Sequence, residues 1–227
     1  MLSKNQINEM LVMQAATNTL IDADWRTKDH DYLLAAMVEA VEAIEHNGWK
    51  WWKKQECDLP QLQMELVDIW HFGLSHFIIK EQVEYLTLFV TTLLYVNFPD
   101  RVELSLVEES KSTDMLVDKL KLFISELALG EFNLSLFNSV MVDAEMSWQQ
   151  LYKMYVGKNV LNQFRQKNGY KTGDYIKIWD NQEDNEFLAD VLNDLTDETN
   201  IRSIIYSQLE DAYKTVLAAN FAQESIS

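Results

Sequence analysis

Glu39-Ala40-Val41-Glu42 and Glu65-Leu66-Val67-Asp68 each place two carboxylates three residues apart. On a helix that spacing sets both side chains on one face, roughly 5–6 Å apart at Cβ. The second pair lies within Leu62-Gln63-Met64-Glu65-Leu66-Val67-Asp68-Ile69-Trp70-His71-Phe72-Gly73-Leu74, which is apolar on nearly every other side. A helix so apolar is normally buried, and acidic side chains are rarely buried without a partner. Four carboxylates facing one another across two helices repel unless cations sit between them. The chemistry this spacing predicts is therefore cation binding. All the donors are oxygens, with no Cys or His cluster, which argues against zinc and fits Mg²⁺ or Mn²⁺. His71 and His76 are five residues apart, not at the i/i+4 spacing of a His–His metal pair.

A second constellation lies far along the chain. Lys158, Asn162 and Arg165 follow one another at steps of four and three, which is one helical face, and Tyr170 and Lys171 come just after Gly169. With Lys167 they form a basic cluster in an acidic chain. An arginine fork and lysine ammonium groups are suited to phosphate oxygens. Gln14 and Asn18, four apart on an apolar helix, are amides able to donate and accept toward a polar base edge. Trp49-Lys50-Trp51-Trp52-Lys53-Lys54 interleaves three indoles with three lysines. It reads either as an anchor with lysine stems laid over it or as a wall packing a ligand. Two ions held between carboxylates can bind phosphate oxygens and lower the pKa of a bridging water. Beside a basic cluster, that chemistry is hydrolysis of a phosphoanhydride. No G-x-x-x-x-G-K stretch is present, which excludes a P-loop nucleotide hydrolase.

These residues need helices to position them, and the composition supplies helices. The 227-residue chain is 48% hydrophobic, with seven Trp and ten Phe but only six Gly and two Pro. It reads as all-α, a single domain over 1–227, in which 100–144 serves packing, an oligomer contact or a helical insertion. A formal charge of −17 argues against a nucleic-acid polymer as partner, since binding one depends on a basic surface. It leaves a small nucleotide open. Cys57 is alone, so no intrachain disulfide forms, consistent with a reducing compartment. The N-terminus lacks a basic region followed by an apolar run, and no apolar stretch is long enough to cross a bilayer. A cytoplasmic protein, without a membrane partner, is the expectation.

The apolar spacing predicts a first helix over 3–23, with Val12 and Leu20 on its apolar side along with Ile7, Met10, Leu11 and Met13. A polar connection over 22–31 leads to a second helix over 32–45, with Leu33, Leu34, Met37, Val38, Val41 and Ile44 inward and Gly48 as its cap. A third helix starts at Pro60 and runs to about Ile79; a fourth spans 81–98. Within 100–144 the pattern gives helices over 116–129 and 132–141, with no chemical constellation. Further helices are predicted over 145–167, 187–195 and 200–220.

Glu39-xx-Glu42 followed by Glu65-xx-Asp68 resembles the signature of the all-α nucleoside triphosphate pyrophosphatases. The tryptophan–lysine block, the Glu65–Phe72 block, and the Lys158–Arg165 block with Gly169-Tyr170-Lys171 and Glu183-Asp184-Asn185 narrow the resemblance to the dimeric dUTPases, which occur in some bacteria, trypanosomatids and phages. The resemblance implies a homodimer that hydrolyses dUTP to dUMP and pyrophosphate with Mg²⁺, in the cytoplasm or in that of a phage's host. By matching position it implies Glu39, Glu42, Glu65 and Asp68 as metal ligands, with Glu42 orienting or deprotonating the attacking water. Gln14 and Asn18 would read uracil, with Phe72 and Trp49 or Trp52 lining the base pocket. Asn162 would meet the deoxyribose, and Lys158, Arg165, Tyr170 and Lys171 the phosphates. Glu183, Asp184 and Asn185 carry no derivable role. Because an amide can turn to serve uracil or cytosine, dCTP stays open beside dUTP. The same residues are also compatible with a broader MazG-type pyrophosphatase, and the fold with a non-catalytic helical interaction protein.

Overall fold

The computed structural model describes residues 2–92, 115–195 and 200–224. Its elements are α1 (Lys4–Ile21), α2 (Tyr32–His46), α3 (Leu59–Ile79), α4 (Val83–Thr92), α5 (Met115–Ala128), α6 (Leu134–Asp143), α7 (Trp148–Lys167), a 3₁₀ turn (Tyr170–Thr172), a hairpin of β1 (Ile178–Trp179) and β2 (Gln182–Glu183), α8 (Asp184–Asp194) and α9 (Ile201–Glu224). The fold is all-α, as the composition implies. The expected helix over 81–98 is seen as far as Thr92, and 93–98 and 100–114 lie outside the described residues. Among the described residues no helix is long and apolar enough to cross a membrane.

Local chemistry sets the helix ends. Ser3 Oγ accepts from Gln6 N at 3.2 Å while Gln6 Oε1 accepts from Ser3 N at 2.9 Å, a reciprocal cap. Asp31 and Asp58 cap α2 and α3, with Pro60 in the first turn of α3. Gly48 ends α2 at φ 76°, where a Cβ is disfavoured. The tight hairpin between β1 and β2 turns on Asp180 and Asn181, both at positive φ.

α3 is the central element, with Leu62, Leu66, Val67, Ile69, Trp70, Leu74 and Phe77 all buried. Trp70 stacks on Phe137 at 5.6 Å and 7°, and Phe132, Phe123 and Trp148 complete the aromatic cluster. Residues 115–144 thus supply a large part of the core around α3. Gly73 lets Phe132 approach: a Cβ there would lie 2.5 Å from its ring. A second cluster gathers Phe164, Trp179, Leu188, Ile205, Leu209 and Tyr213, and Met154 and Ile201 pack against both.

Four sequence expectations need correction. In α2 the buried residues are Leu33, Ala36, Ala40 and Ala43, while Leu34, Val38 and Val41 are about half exposed. The small alanines let α2 lie close to α3, and that contact turns the branched residues outward. In α1, Val12 and Leu20 are likewise exposed, at 61% and 48%. Trp25, in the nominally polar connection, is buried and donates Nε1–H to Thr19 Oγ1 at 3.1 Å. Helix α8 starts at Asp184 rather than Phe187, because Glu186 Oε2 accepts from Glu183 N at 2.9 Å and begins the helix early.

Candidate functional site

Two adjoining cavities open between α1, α2, α3, α7 and the start of α8. The larger, about 600 Å³, and the smaller, about 290 Å³, share Glu39, Asp68, Lys158, Arg165 and Tyr170 in their walls.

Glu39 and Glu42 of α2 and Glu65 of α3 line the larger cavity, and a carboxylate oxygen from each lies within 4.8 Å of the others. Burial pushes the Glu39 carboxyl up to about 7; nearby Asp68 and Glu42 push the same way, and a hydrogen bond with Glu65 offsets part of the rise. Burial, then Asp68, push Glu65 up to about 8, against the pull of Lys158. The fold therefore holds negative charge where it is poorly compensated. His46 stands at ion-pair distance from Glu65, Nε2 to Oε1 at 3.5 Å. Asp68 stands apart from the trio, its Oδ2 2.7 Å from Lys158 Nζ.

Opposite lies the basic wall. Lys158 is buried, bridging Asp68 and Asn185 Oδ1, the latter at 2.9 Å. Arg165 donates Nε–H and Nη2–H to the two oxygens of Asp184 at 2.8 and 2.7 Å. It also reaches Asn162 Oδ1 at 3.2 Å and Asn185 Oδ1 at 3.0 Å. Asp184 is fully buried and accepts a third bond from Tyr175 at 2.8 Å. Desolvation and that carboxylate hold the Tyr175 hydroxyl well above its usual range. For Arg165 the hydrogen bond and charge of Asp184 outweigh burial, so its guanidinium pKa rises.

The smaller cavity is lined by Gln14, Asn18, Phe72, His71 and Asn162 together with the shared residues. Gln14 and Asn18 are buried and bonded to each other, Gln14 Nε2 donating to Asn18 Oδ1 at 2.9 Å.

Of the residues singled out in the sequence, the structure brings Gln14, Asn18, Glu39, Glu42, Glu65, Asp68, Phe72, Lys158, Asn162, Arg165 and Tyr170 to these two cavities. Trp49, Trp52 and Lys171 line neither. Trp49 donates to Glu45 Oε1 at 2.9 Å and packs edge-on against Trp52. Lys171 Nζ donates to Ile21 O at 3.0 Å, at the end of α1. Sequence reasoning missed His46 and gave no role to Asp184 and Asn185. His46 is one turn beyond Glu42, a spacing that would have pointed to it. Asp184 and Asn185 gain their meaning from side chains about twenty residues earlier, which no local pattern reveals.

The all-α bundle thus brings an oxygen-only acidic cluster and two buried cations, Lys158 and Arg165, to one cavity. The chain belongs to the family of dimeric all-α dUTPases: the family model, described as dUTPase, matches residues 6–170. Lys171 and the Glu183–Asn185 segment lie beyond that match. A search of curated proteins gives no match.

Proposed function

We propose that this chain hydrolyses dUTP to dUMP and pyrophosphate, with water as nucleophile and Mg²⁺ as cofactor. The observation that carries the reading is the trio Glu39, Glu42 and Glu65, within 4.8 Å of one another and across a shared cavity from Lys158 and Arg165. The donors fit a hard divalent cation: all are carboxylate oxygens, and the raised pKa values of Glu39 and Glu65 mark negative charge that a cation would relieve. Glu39, Glu42 and Glu65 would hold the ion, with Asp68 as a further ligand once Lys158 turns to phosphate. Bound Mg²⁺ supplies charge neutralisation and a water of lowered pKa.

Glu42 is the most exposed of the trio and is assigned to orient the attacking water and take its proton. Lys158, Arg165 and Tyr170 hold the phosphates, and Asn162 meets the deoxyribose. Gln14, Asn18 and Phe72 hold the base. Trp49, Trp52 and Lys171 line neither cavity of the single chain and are assigned no substrate contact. We further propose a homodimer, supported by the apolar row Leu34, Val38 and Val41 exposed on α2.

The purified chain with dUTP and Mg²⁺ should release pyrophosphate and dUMP, and chelation should stop it. Absence of release under conditions where a control dUTPase is active would overturn the reading. Light scattering at twice the monomer mass checks the dimer.

A further inference from the structure

Gln14 and Asn18 belong to a closed ring of hydrogen bonds that begins and ends on one residue. His71 Nδ1 lies 2.7 Å from Gln14 Oε1. Gln14 Nε2 donates to Asn18 Oδ1 at 2.9 Å, and Asn18 Nδ2 donates to Ser75 Oγ at 2.9 Å. Ser75 Oγ then donates to the His71 carbonyl at 3.0 Å. All four residues are buried, and Gln14, Asn18 and His71 line the smaller cavity.

The ring has a direction, and His71 sets it. Burial pushes the imidazole pKa down to about 4, so the ring carries a single proton at neutral pH. Its Nε2 is buried and has no hydrogen-bond partner among the described residues. A proton there would be an orphaned donor, which is costlier than an orphaned lone pair. The proton therefore sits on Nδ1 and points at Gln14 Oε1, and each amide downstream is turned in the sense given above. The Tyr155 hydroxyl lies 3.0 Å from the same Oε1 and 2.9 Å from Met10 O, and its one proton serves only one of these acceptors, so the orientation rests on His71.

What remains unused determines what the cavity reads. Gln14 keeps one N–H, Asn18 Nδ2 keeps one N–H, and Asn18 Oδ1 keeps one lone pair; the Gln14 N–H and the Asn18 Oδ1 lone pair are the donor and acceptor on bonded neighbours. Uracil offers a 4-carbonyl beside N3–H, the complement of that donor–acceptor pair. Cytosine offers an amino group beside a bare N3, which opposes it at both atoms. Resting on the proposed dUTP hydrolysis, we propose that His71 and Ser75 are positioning residues for base selection, turning Gln14 and Asn18 to accept uracil and reject cytosine.

The test measures kcat/KM for dUTP and dCTP on the full chain with Mg²⁺. Wild type should favour dUTP by roughly 10²-fold or more, because a site built for one hydrogen-bond pattern leaves buried groups unpaired on the other. His71→Leu removes the donor that starts the ring and Ser75→Ala the acceptor that ends it. Each should lower the dUTP:dCTP ratio by about tenfold or more. His71→Asn, which returns an N–H near the Nδ1 position, should restore most of the ratio. Folded variants that keep the wild-type ratio would overturn the proposal, as would a wild type preferring dCTP, the signature of the reversed ring. Should His71→Leu fail to fold, Ser75→Ala, the smaller change, decides. If wild type hydrolyses neither nucleotide, the proposed reaction fails by itself, and calorimetry with dUMP and dCMP tests the ring. Selective dUMP binding that Ser75→Ala abolishes supports it, and equal binding of the two sinks it.

Discussion

The two cavities share a wall and are built on opposite terms. In the smaller, the amides of Gln14 and Asn18 are buried and already bonded within the chain. In the larger, Glu39 and Glu65 are held with their acidities suppressed, and among the described residues His46 and Lys158 offset the charge of the trio with Glu42 only in part. The basic wall between them is satisfied internally again, by Asp68, Asp184 and Asn185. Folding alone completes the polar end. The carboxylate end is left with charge that the described residues offset only in part, and buried like charges are tolerated where an ion offsets them.

The largest expected effect tests the satisfied side. Asp184→Asn keeps the shape of a fully buried side chain but removes the charge opposing Arg165. Breaking a buried pair leaves an uncompensated ion and costs about 3–5 kcal/mol, read as a lower urea midpoint. Weaker pyrophosphate binding should accompany it, since Arg165 loses the fork that aims it. A midpoint within error of wild type would mean that the basic wall is not organised by Asp184.

Glu65→Gln tests the unsatisfied side and should move two readings in opposite directions. Hydrolysis should fall roughly 10²- to 10³-fold, the scale of losing one preorganised electrostatic group. The metal-free protein at pH 8 should instead melt higher than wild type, because the neutral amide removes charge the fold holds unfavourably. Lower activity together with lower metal-free stability would mean that Glu65 is an ordinary structural carboxylate.

Gly73→Ala serves as the control on the same helix. A Cβ at that position would meet the Phe132 ring at 2.5 Å, away from both cavities. Overpacking of this kind costs about 1–3 kcal/mol, and kcat at a temperature well below melting should stay as in wild type.

The same contrast explains what the sequence revealed. The carboxylate pairs were legible because acids at three-residue spacing inside an apolar helix conflict with burial, and such conflicts mark sites. The α-helical class followed from the scarcity of Gly and Pro. The inward face of α2 was not legible: Leu34, Val38 and Val41 are the more hydrophobic residues, yet Ala36, Ala40 and Ala43 pack inside. Close approach to α3 selected small side chains over apolar ones, and that depends on a neighbour no periodicity describes. Asp184 and the ring through Ser75 were illegible for a related reason. Each is made of ordinary residues whose roles come from partners on other elements, such as Arg165 nineteen residues earlier and Asn18 fifty-seven residues earlier.

A pH series on the metal-free protein gives the smallest effect and the sharpest division between the two walls. Glu39 and Glu65 have folded-state pKa values of about 7 and about 8, above the ordinary 4.5. The folded state therefore binds their protons more tightly than the unfolded chain does. The stability this contributes is fully present below about pH 4.5 and is lost as pH rises through 7 to 8. The melting temperature without metal should drop between pH 5.5 and 8, each kcal/mol of lost stability counting for about 2–4 °C in a chain of this size. Millimolar Mg²⁺ or Mn²⁺ should flatten the upper part of that slope, because a bound cation stabilises the ionised carboxylates. Glu65→Gln should show a shallower slope than wild type, while Gly73→Ala should melt lower with the slope unchanged. A wild-type profile flat from pH 5.5 to 8 without metal would remove the asymmetry between the two cavities, since it would show the carboxylates to be already compensated by the protein itself.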